Sequence, residues 1–241
     1  MAETTLQEQA AIVTGASQGI GRAVAAELAA MGAGVILAAR NQARLAELAT
    51  SLTARGGRVK AVVTDVRTQA GVEAMVRACV SAYGRVDILV NNAGVGRFGV
   101  PLHETLPEVW AATMETNVRS VYYALRAAAP VMIQQRRGHI INVASLAAHN
   151  PLPGGAVYAA SKAALHHLSI SAAEELRGYG IRVSLICPGS VDTELSPDLV
   201  ANKDRAKMMR PEDLAHVVAM LVTQGPQSFV SEVQMRPTQK P

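Results

Sequence analysis

Tyr158 and Lys162 stand four residues apart in the stretch GGAVYAASKAALHHL, residues 154–168. Alanine, the strongest helix former, dominates that stretch. A helix is expected there, and a four-residue offset puts phenol and ammonium on one face. A phenol has an ordinary pKa of about 10, and poising it near neutrality takes about 4 kcal/mol. A neighbouring ammonium supplies such a bias by favouring the phenolate. The pair reads as an acid/base device for a reaction that builds negative charge on an oxygen, such as hydride transfer to a ketone.

A second chemistry-bearing stretch is TGASQGIG, residues 14–21. Gly15, Gly19 and Gly21, with Ser17, Gln18 and Ile20 between them, sit where a β-type run turns into a helical one. Glycine permits the tight turn and a close backbone approach. The helix N-terminus beyond offers unpaired N–H groups and a positive dipole end to a pyrophosphate. The spacing is Gly-x-x-x-Gly-x-Gly, not the Gly-x-Gly-x-x-Gly of the commoner dinucleotide fingerprint. Its place between the first strand and the first helix gives the pattern its weight. The second β-type run ends LAARN. An acidic residue there favours the free 2′-hydroxyl of NAD. Arg40 stands there instead, and a guanidinium pairs with a 2′-phosphate. NADP(H) is therefore the expected cofactor.

These residues need a scaffold that brings them to one edge. Short β-type runs occur at residues 10–14, 34–39, 58–64, 86–91, 139–144, 181–187 and 229–235, and helical periodicity fills most intervals. Alternation of this kind predicts an α/β fold, a Rossmann-like doubly wound sheet of seven parallel strands with helices on both faces. In such a sheet, ligands sit beyond the carboxyl ends of the strands. The glycine turn, the NNAG that ends the fourth run (Asn91, Ala93 and Gly94 among its residues), Ser145 and the Tyr/Lys pair all fall on that edge. Thr105 and Glu108 have capping-box spacing, Asn41 is placed to cap the next helix, and Pro130 should kink or end a long helix. After the fifth strand, Val157, Ser161, Ala164, Leu165, Leu168, Ala172 and Leu176 form an apolar stripe. The chain reads as one domain over residues 1–241, with irregular stretches at 146–156 and 188–209 as the substrate loops.

Together these pieces resemble the short-chain dehydrogenase/reductase family: residues 14–21, Asp65-Val66, residues 91–94, Asn117, Ser145, Tyr158-x-x-x-Lys162 and PGSVDT at 188–193. They span nearly the whole chain. The resemblance implies that Tyr158 is general acid in reduction and base in oxidation. Lys162 lowers the phenol's pKa and holds the nicotinamide ribose, Ser145 hydrogen-bonds the substrate oxygen, and Asn117 positions a water that relays protons from Lys162. It also implies that Asp65 and Val66 contact the adenine, Asn91 the adenosine end, and Val191 and Thr193, beside Pro188 and Gly189, the nicotinamide carboxamide. Homotetramers are usual in the family, with a dimer the next choice.

Composition sets the remaining bounds. The 241 residues are 49% hydrophobic but only 3% aromatic, so the core must be built from Ala, Val, Leu and Ile. The net charge is +4 with basic residues scattered, which leaves no nucleic-acid stripe. Cys79 and Cys187 lie in apolar settings far apart; both read as reduced, with Cys187 inert core, in a cytoplasmic protein. The start carries no signal-peptide pattern, and no apolar run has membrane-spanning length. The six histidines show no metal-ligand spacing, so no metal is implied. His149, shortly after Ser145, is a candidate for pocket lining.

The preferred activity is reduction of a small or medium apolar ketone or aldehyde. RRGHIINVAS is also similar to β-ketoacyl-acyl-carrier-protein reductases, where Arg136 would meet an acidic carrier. Tyr179 before Gly180-Ile181, where that branch often has arginine, and a tail without its Gly-Gly speak against it. A regulatory protein that senses NADP without turnover is the alternative of another class.

Overall fold

The computed structural model describes residues 6–195 and 204–241. Seven strands, β1 (Ala10–Thr14), β2 (Gly34–Ala39), β3 (Arg58–Val63), β4 (Ile88–Asn91), β5 (Gly138–Val143), β6 (Ile181–Pro188) and β7 (Glu232–Met235), form one sheet. Their order is β3-β2-β1-β4-β5-β6-β7 and every neighbouring pair is parallel. Among the described residues the α-helices are α1 (Gly19–Ala30), α2 (Gln42–Ala54), α3 (Gln69–Tyr83), α4 (Pro107–Met114), α5 (Ser120–Gln135), α6 (Ala156–Arg177) and α7 (Pro211–Val222).

Successive strand residues point to opposite faces. Val13, Leu37 and Val90 pack with α1, α2 and α7 on one side, while Ile12, Ile36 and Leu89 pack with α3, α5 and α6 on the other. Both faces being buried explains why the central strands read as unbroken apolar runs. The two edges are polar instead: β3 carries Arg58 and Lys60, β7 Glu232 and Gln234. β1 lies between β2 and β4, which is where the winding reverses and a crevice opens at the strand ends.

Several local expectations change. Asn41 does cap α2, its Oδ1 accepting from Arg44 N at 3.0 Å. Thr105 and Glu108 do not form a capping box: Leu106 takes the N-cap, and the Thr105 hydroxyl donates to Pro101 O at 3.1 Å, closing the preceding turn. Pro130 does not end its helix, which continues to Gln135. The proline is exposed, so the carbonyl deprived of its N–H can turn to water. Before α5 the chain winds as a π-helix over Glu115–Arg119, a departure the periodicity did not show. In α6 the buried stripe is Val157, Tyr158, Ser161, Lys162, Leu165, Ser169 and Ala173; Leu168, Ala172 and Leu176 lie at its margin. Ser169 is buried because its Oγ accepts from Asn142 Nδ2 at 2.8 Å. β7 begins only at Glu232, because Val230 bonds the Gln224 and Ser184 side chains instead of extending the strand.

Candidate active site

Beyond the strand ends lies a cleft of about 580 Å³. At one side runs the glycine turn. Gly15 and Gly19 have φ of +69° and +52°, backbone that side chains rarely adopt. A Cβ on Gly15 would lie 3.1 Å from Ala93 Cα, and one on Gly19 3.2 Å from Thr193 Cγ2. No side chain caps α1, so its first-turn N–H groups and positive dipole end are left for an anion. Gly15, Ser17, Gln18, Gly19 and Ile20 all line the cleft. Gly21 does not; its Cβ would stand 2.4 Å from the Gly15 carbonyl oxygen, so its glycine is demanded by the helix passing over the turn.

Thr14 ties this turn to the end of β4. Its Oγ1 accepts from Asn92 N at 3.0 Å and Ala93 N at 3.1 Å, and Asn92 Nδ2 donates to Thr14 O at 3.0 Å. Ala93 and Gly94 line the cleft, but Asn91 does not. Asn91 Nδ2 donates to Asn142 Oδ1 at 2.8 Å in the core, locking β4 to β5. Asn91, expected at the adenosine end, has its side chain engaged with Asn142, while Asn92 lines the cleft.

At the far end Arg40, Asp65 and Val66 line the wall, together with Arg67. Arg67 grips Asp65 through Nε at 3.0 Å and Nη2 at 2.6 Å. That bond, against the cost of burial and with help from the Arg40 charge, holds the Asp65 carboxyl down at about 2. Arg67 was not expected here; in the sequence only its two-residue spacing from Asp65 marks it. Pro188, Gly189, Val191 and Thr193 close the opposite wall.

Ser145 leaves the end of β5, and its Oγ accepts from Ala147 N at 3.1 Å. Tyr158 and Lys162 project from one face of α6 into the cleft, each less than a tenth exposed. Lys162 Nζ donates to Val143 O at 2.8 Å and lies 5.7 Å from the Tyr158 ring centroid. Phe98 packs edge-on against Tyr158, with centroids 5.0 Å apart. Asn117, in the π turn, is buried behind these groups. Its Oδ1 accepts from Val95 N at 2.8 Å, while Nδ2 donates to Val95 O at 2.8 Å and Ser161 Oγ at 2.9 Å.

A family model for short chain dehydrogenases matches residues 9–204. The chain belongs to the short-chain dehydrogenase/reductase family. An oxidoreductase of Staphylococcus epidermidis is 34% identical over 232 residues, 96% of this chain and 98% of that one. A metagenomic short-chain oxidoreductase solved in complex with NADP is 46% identical, with a TM-score of 0.86 over 98% of this chain and 99% of its own. An alcohol dehydrogenase from the archaeon Thermococcus sibiricus, complexed with 5-hydroxy-NADP, is 29% identical, with a TM-score of 0.88 over 97% and 98% of the two chains.

In this short-chain dehydrogenase, the electrostatics of the pair differ from the expectation that Lys162 depresses the phenol. Burial dominates both groups. It pushes the Tyr158 phenol above its ordinary value, opposed only by a hydrogen bond from Ser145. It pushes Lys162 down to about 8. Withdrawal of water from both charged forms sets the two directions, and at the phenol it outweighs the Ser145 hydrogen bond. His149 does not line the cleft; it turns to Glu232. The residues present fit a nicotinamide dinucleotide: a glycine cradle that Cβ atoms would fill, an uncapped helix end, and a guanidinium at the end of β2. Among the described residues, no helix is long and apolar enough to cross a membrane.

Proposed function

We propose that the protein is an NADP(H)-dependent reductase of small or medium apolar ketones and aldehydes, reversible in principle. The observation that carries this reading is the meeting of Ser145, Tyr158 and Lys162 in one cleft with the glycine cradle and Arg40. The bound dinucleotide supplies the hydride. Arg40 holds the 2′-phosphate, and the backbone of residues 15–20 receives the pyrophosphate. The NADP-bound relative supports that choice of cofactor.

Tyr158 is kept as a neutral phenol by its burial, the form a general acid needs; it gives its Oη proton to the substrate oxygen as charge develops there. The Ser145 hydroxyl bonds the same oxygen and the phenolate left behind. Lys162, tethered to Val143 O, holds the nicotinamide ribose, and Asn117 orders a water through which the phenol is reprotonated. Phe98, Leu146, Pro151, Leu152 and Leu195 give the substrate end an apolar wall, which supports an apolar carbonyl. The substrate loop at 188–209 extends in part outside the described residues. We read the assembly as a homotetramer, or failing that a dimer; exposed Tyr122 on α5 and Ile170 on α6 support contact between copies. We place the protein in the cytoplasm.

The test is NADPH oxidation with a panel of simple ketones and aldehydes beside an acetoacetyl thioester. Turnover of the free carbonyls is expected to exceed that of the thioester, and the reverse order would favour a carrier-bound substrate. Tyr158→Phe should lower turnover ~10²–10⁴-fold, the usual range for loss of a general acid, while NADPH still binds. Tight NADPH binding with no oxidation of any carbonyl would favour a sensing role.

A further inference from the structure

Three side chains that the cleft does not use come together behind Ser145. His149 Nε2, Cys187 Sγ and a Glu232 carboxylate oxygen all lie within 4.8 Å of one another. His149 Nε2 is 2.8 Å from Glu232 Oε1 and 3.9 Å from Cys187 Sγ. The other carboxylate oxygen, Oε2, is 2.9 Å from His166 Nε2. Gln234 Nε2 also donates to Oε1 at 3.1 Å. The His149 and His166 rings meet edge to face with centroids 4.6 Å apart, which fixes their orientation.

We propose that the protein binds a divalent transition-metal ion of the zinc type through His149 Nε2, Cys187 Sγ and Glu232 Oε1, with His166 Nε2 orienting the carboxylate from behind. Imidazole, thiolate and carboxylate are zinc's ligands, and tetrahedral geometry with Zn–S of about 2.3 Å and Zn–N of about 2.0 Å places sulfur and nitrogen about 3.5 Å apart. The observed 3.9 Å needs only a small contraction. The His149–Glu232 pair opens by about half an ångström as the ion enters: the Nε2 proton leaves to solvent, Nδ1 takes one up from solvent, and the freed Nε2 lone pair bonds the metal. Cys187 is fully buried while His149 and Glu232 reach the surface, so the ion enters from outside and its fourth position faces water. Three protein ligands with a fourth position open to solvent is a known zinc pattern.

The proton balance is explicit. Burial and the Glu232 carboxylate push the Cys187 thiol up to about 12. A dication beside the sulfur reverses that balance. The S–H bond breaks, the proton goes to solvent, and sulfur bonds the metal. His166 supplies the outer hydrogen bond that ligating carboxylates characteristically have. Sequence spacing gave no hint of this, because the donors come from the turn after β5, from β6, from α6 and from β7.

The test is titration of the untagged, chelator-treated chain with Co²⁺ as a spectroscopic probe. One equivalent is expected to bind, with a near-ultraviolet thiolate-to-cobalt band and the visible absorption of a tetrahedral ion, both abolished by added Zn²⁺. Cys187→Ser should remove the ultraviolet band. His149→Ala and Glu232→Gln should weaken binding at least tenfold, and His166→Asn ~10–100-fold, the usual effect of an outer-shell change. His149 is accessible, so His149→Ala should keep the wild-type circular dichroism and NADPH affinity, which separates lost ligation from lost folding. Absence of stoichiometric uptake, uptake without the thiolate band, or binding indifferent to His149→Ala and Glu232→Gln would each overturn the proposal and leave a His–Glu–His hydrogen-bonded bridge.

Discussion

Arg40 and Arg67 press on Asp65 from two sides, and they have different tasks. Arg67 is engaged by the carboxylate in a two-pronged bond, whereas Arg40 acts on it only through its charge and remains exposed at the end of β2. Arg40 is therefore the guanidinium with capacity for a phosphate. Arg40→Asp should lower kcat/KM for NADPH by about tenfold or more, since charge-assisted bonds are worth ~1.5–3 kcal/mol, and should favour NADH. Steady-state kinetics with both cofactors checks this, and an unchanged ratio would remove Arg40 from the binding reading. Lys162 carries a second consequence. Its folded-state value is lowered to about 8, so its charge is present below that pH and lost above it. NADPH affinity, followed by fluorescence titration, should weaken as pH rises through about 8, and Lys162→Met should be weak and flat across the same range. Tyr158, pushed the other way, keeps its proton through this window, so carbonyl reduction should not lose its acid there.

The π turn at Glu115–Arg119 is the element that seats Asn117. One widened turn moves a side chain off the α-helical stripe, and such turns are frequent at functional sites. All three polar partners of the Asn117 amide are internal, two on the Val95 backbone and one on Ser161. Asn117→Ala would leave these buried groups unpaired at ~1–3 kcal/mol, visible as a lower midpoint in denaturant melts. A drop in turnover greater than the loss of folded protein would mark the proton-relay role beyond the structural one. Most of the scaffold was legible in sequence, since strands buried on both faces read as Val- and Ile-rich runs and Asn41 announced its cap. What was not legible depends on partners distant in the chain. No spacing announced that Asn91 would bond Asn142 across the strands, or that Thr105 would prefer the Pro101 carbonyl to a capping box. The π turn leaves no mark on a 3.6-residue period. The neighbours that place a phenol in a dry pocket, and so set the sign of its shift, are also assembled only in three dimensions.

At the scale of the molecule, His139 links the sheet to pH. It is buried in β5, with Nε2 bonded to Ser184 Oγ at 2.8 Å, and burial lowers it to about 3. The unfolded chain takes up this proton near its ordinary 6.5 while the folded one refuses it, so stability is full above 6.5 and falls between 6.5 and about 3. The slope from this one group is about 1.4 kcal/mol per pH unit. Urea melts at about pH 7 and about pH 5 should show wild type losing more stability than His139→Asn; equal losses would place the acid sensitivity elsewhere. The strand order has a temporal side as well. β1 pairs with β2 along one edge, but its other edge waits for Ile88, Leu89 and Val90, made long afterwards. A growing chain on the ribosome therefore carries an apolar strand with one open flank throughout the synthesis of α2 and α3, a template for pairing with the wrong neighbour. Yield in a heterologous host should depend on translation speed across that interval and on chaperone supply more than on the stability of the finished fold.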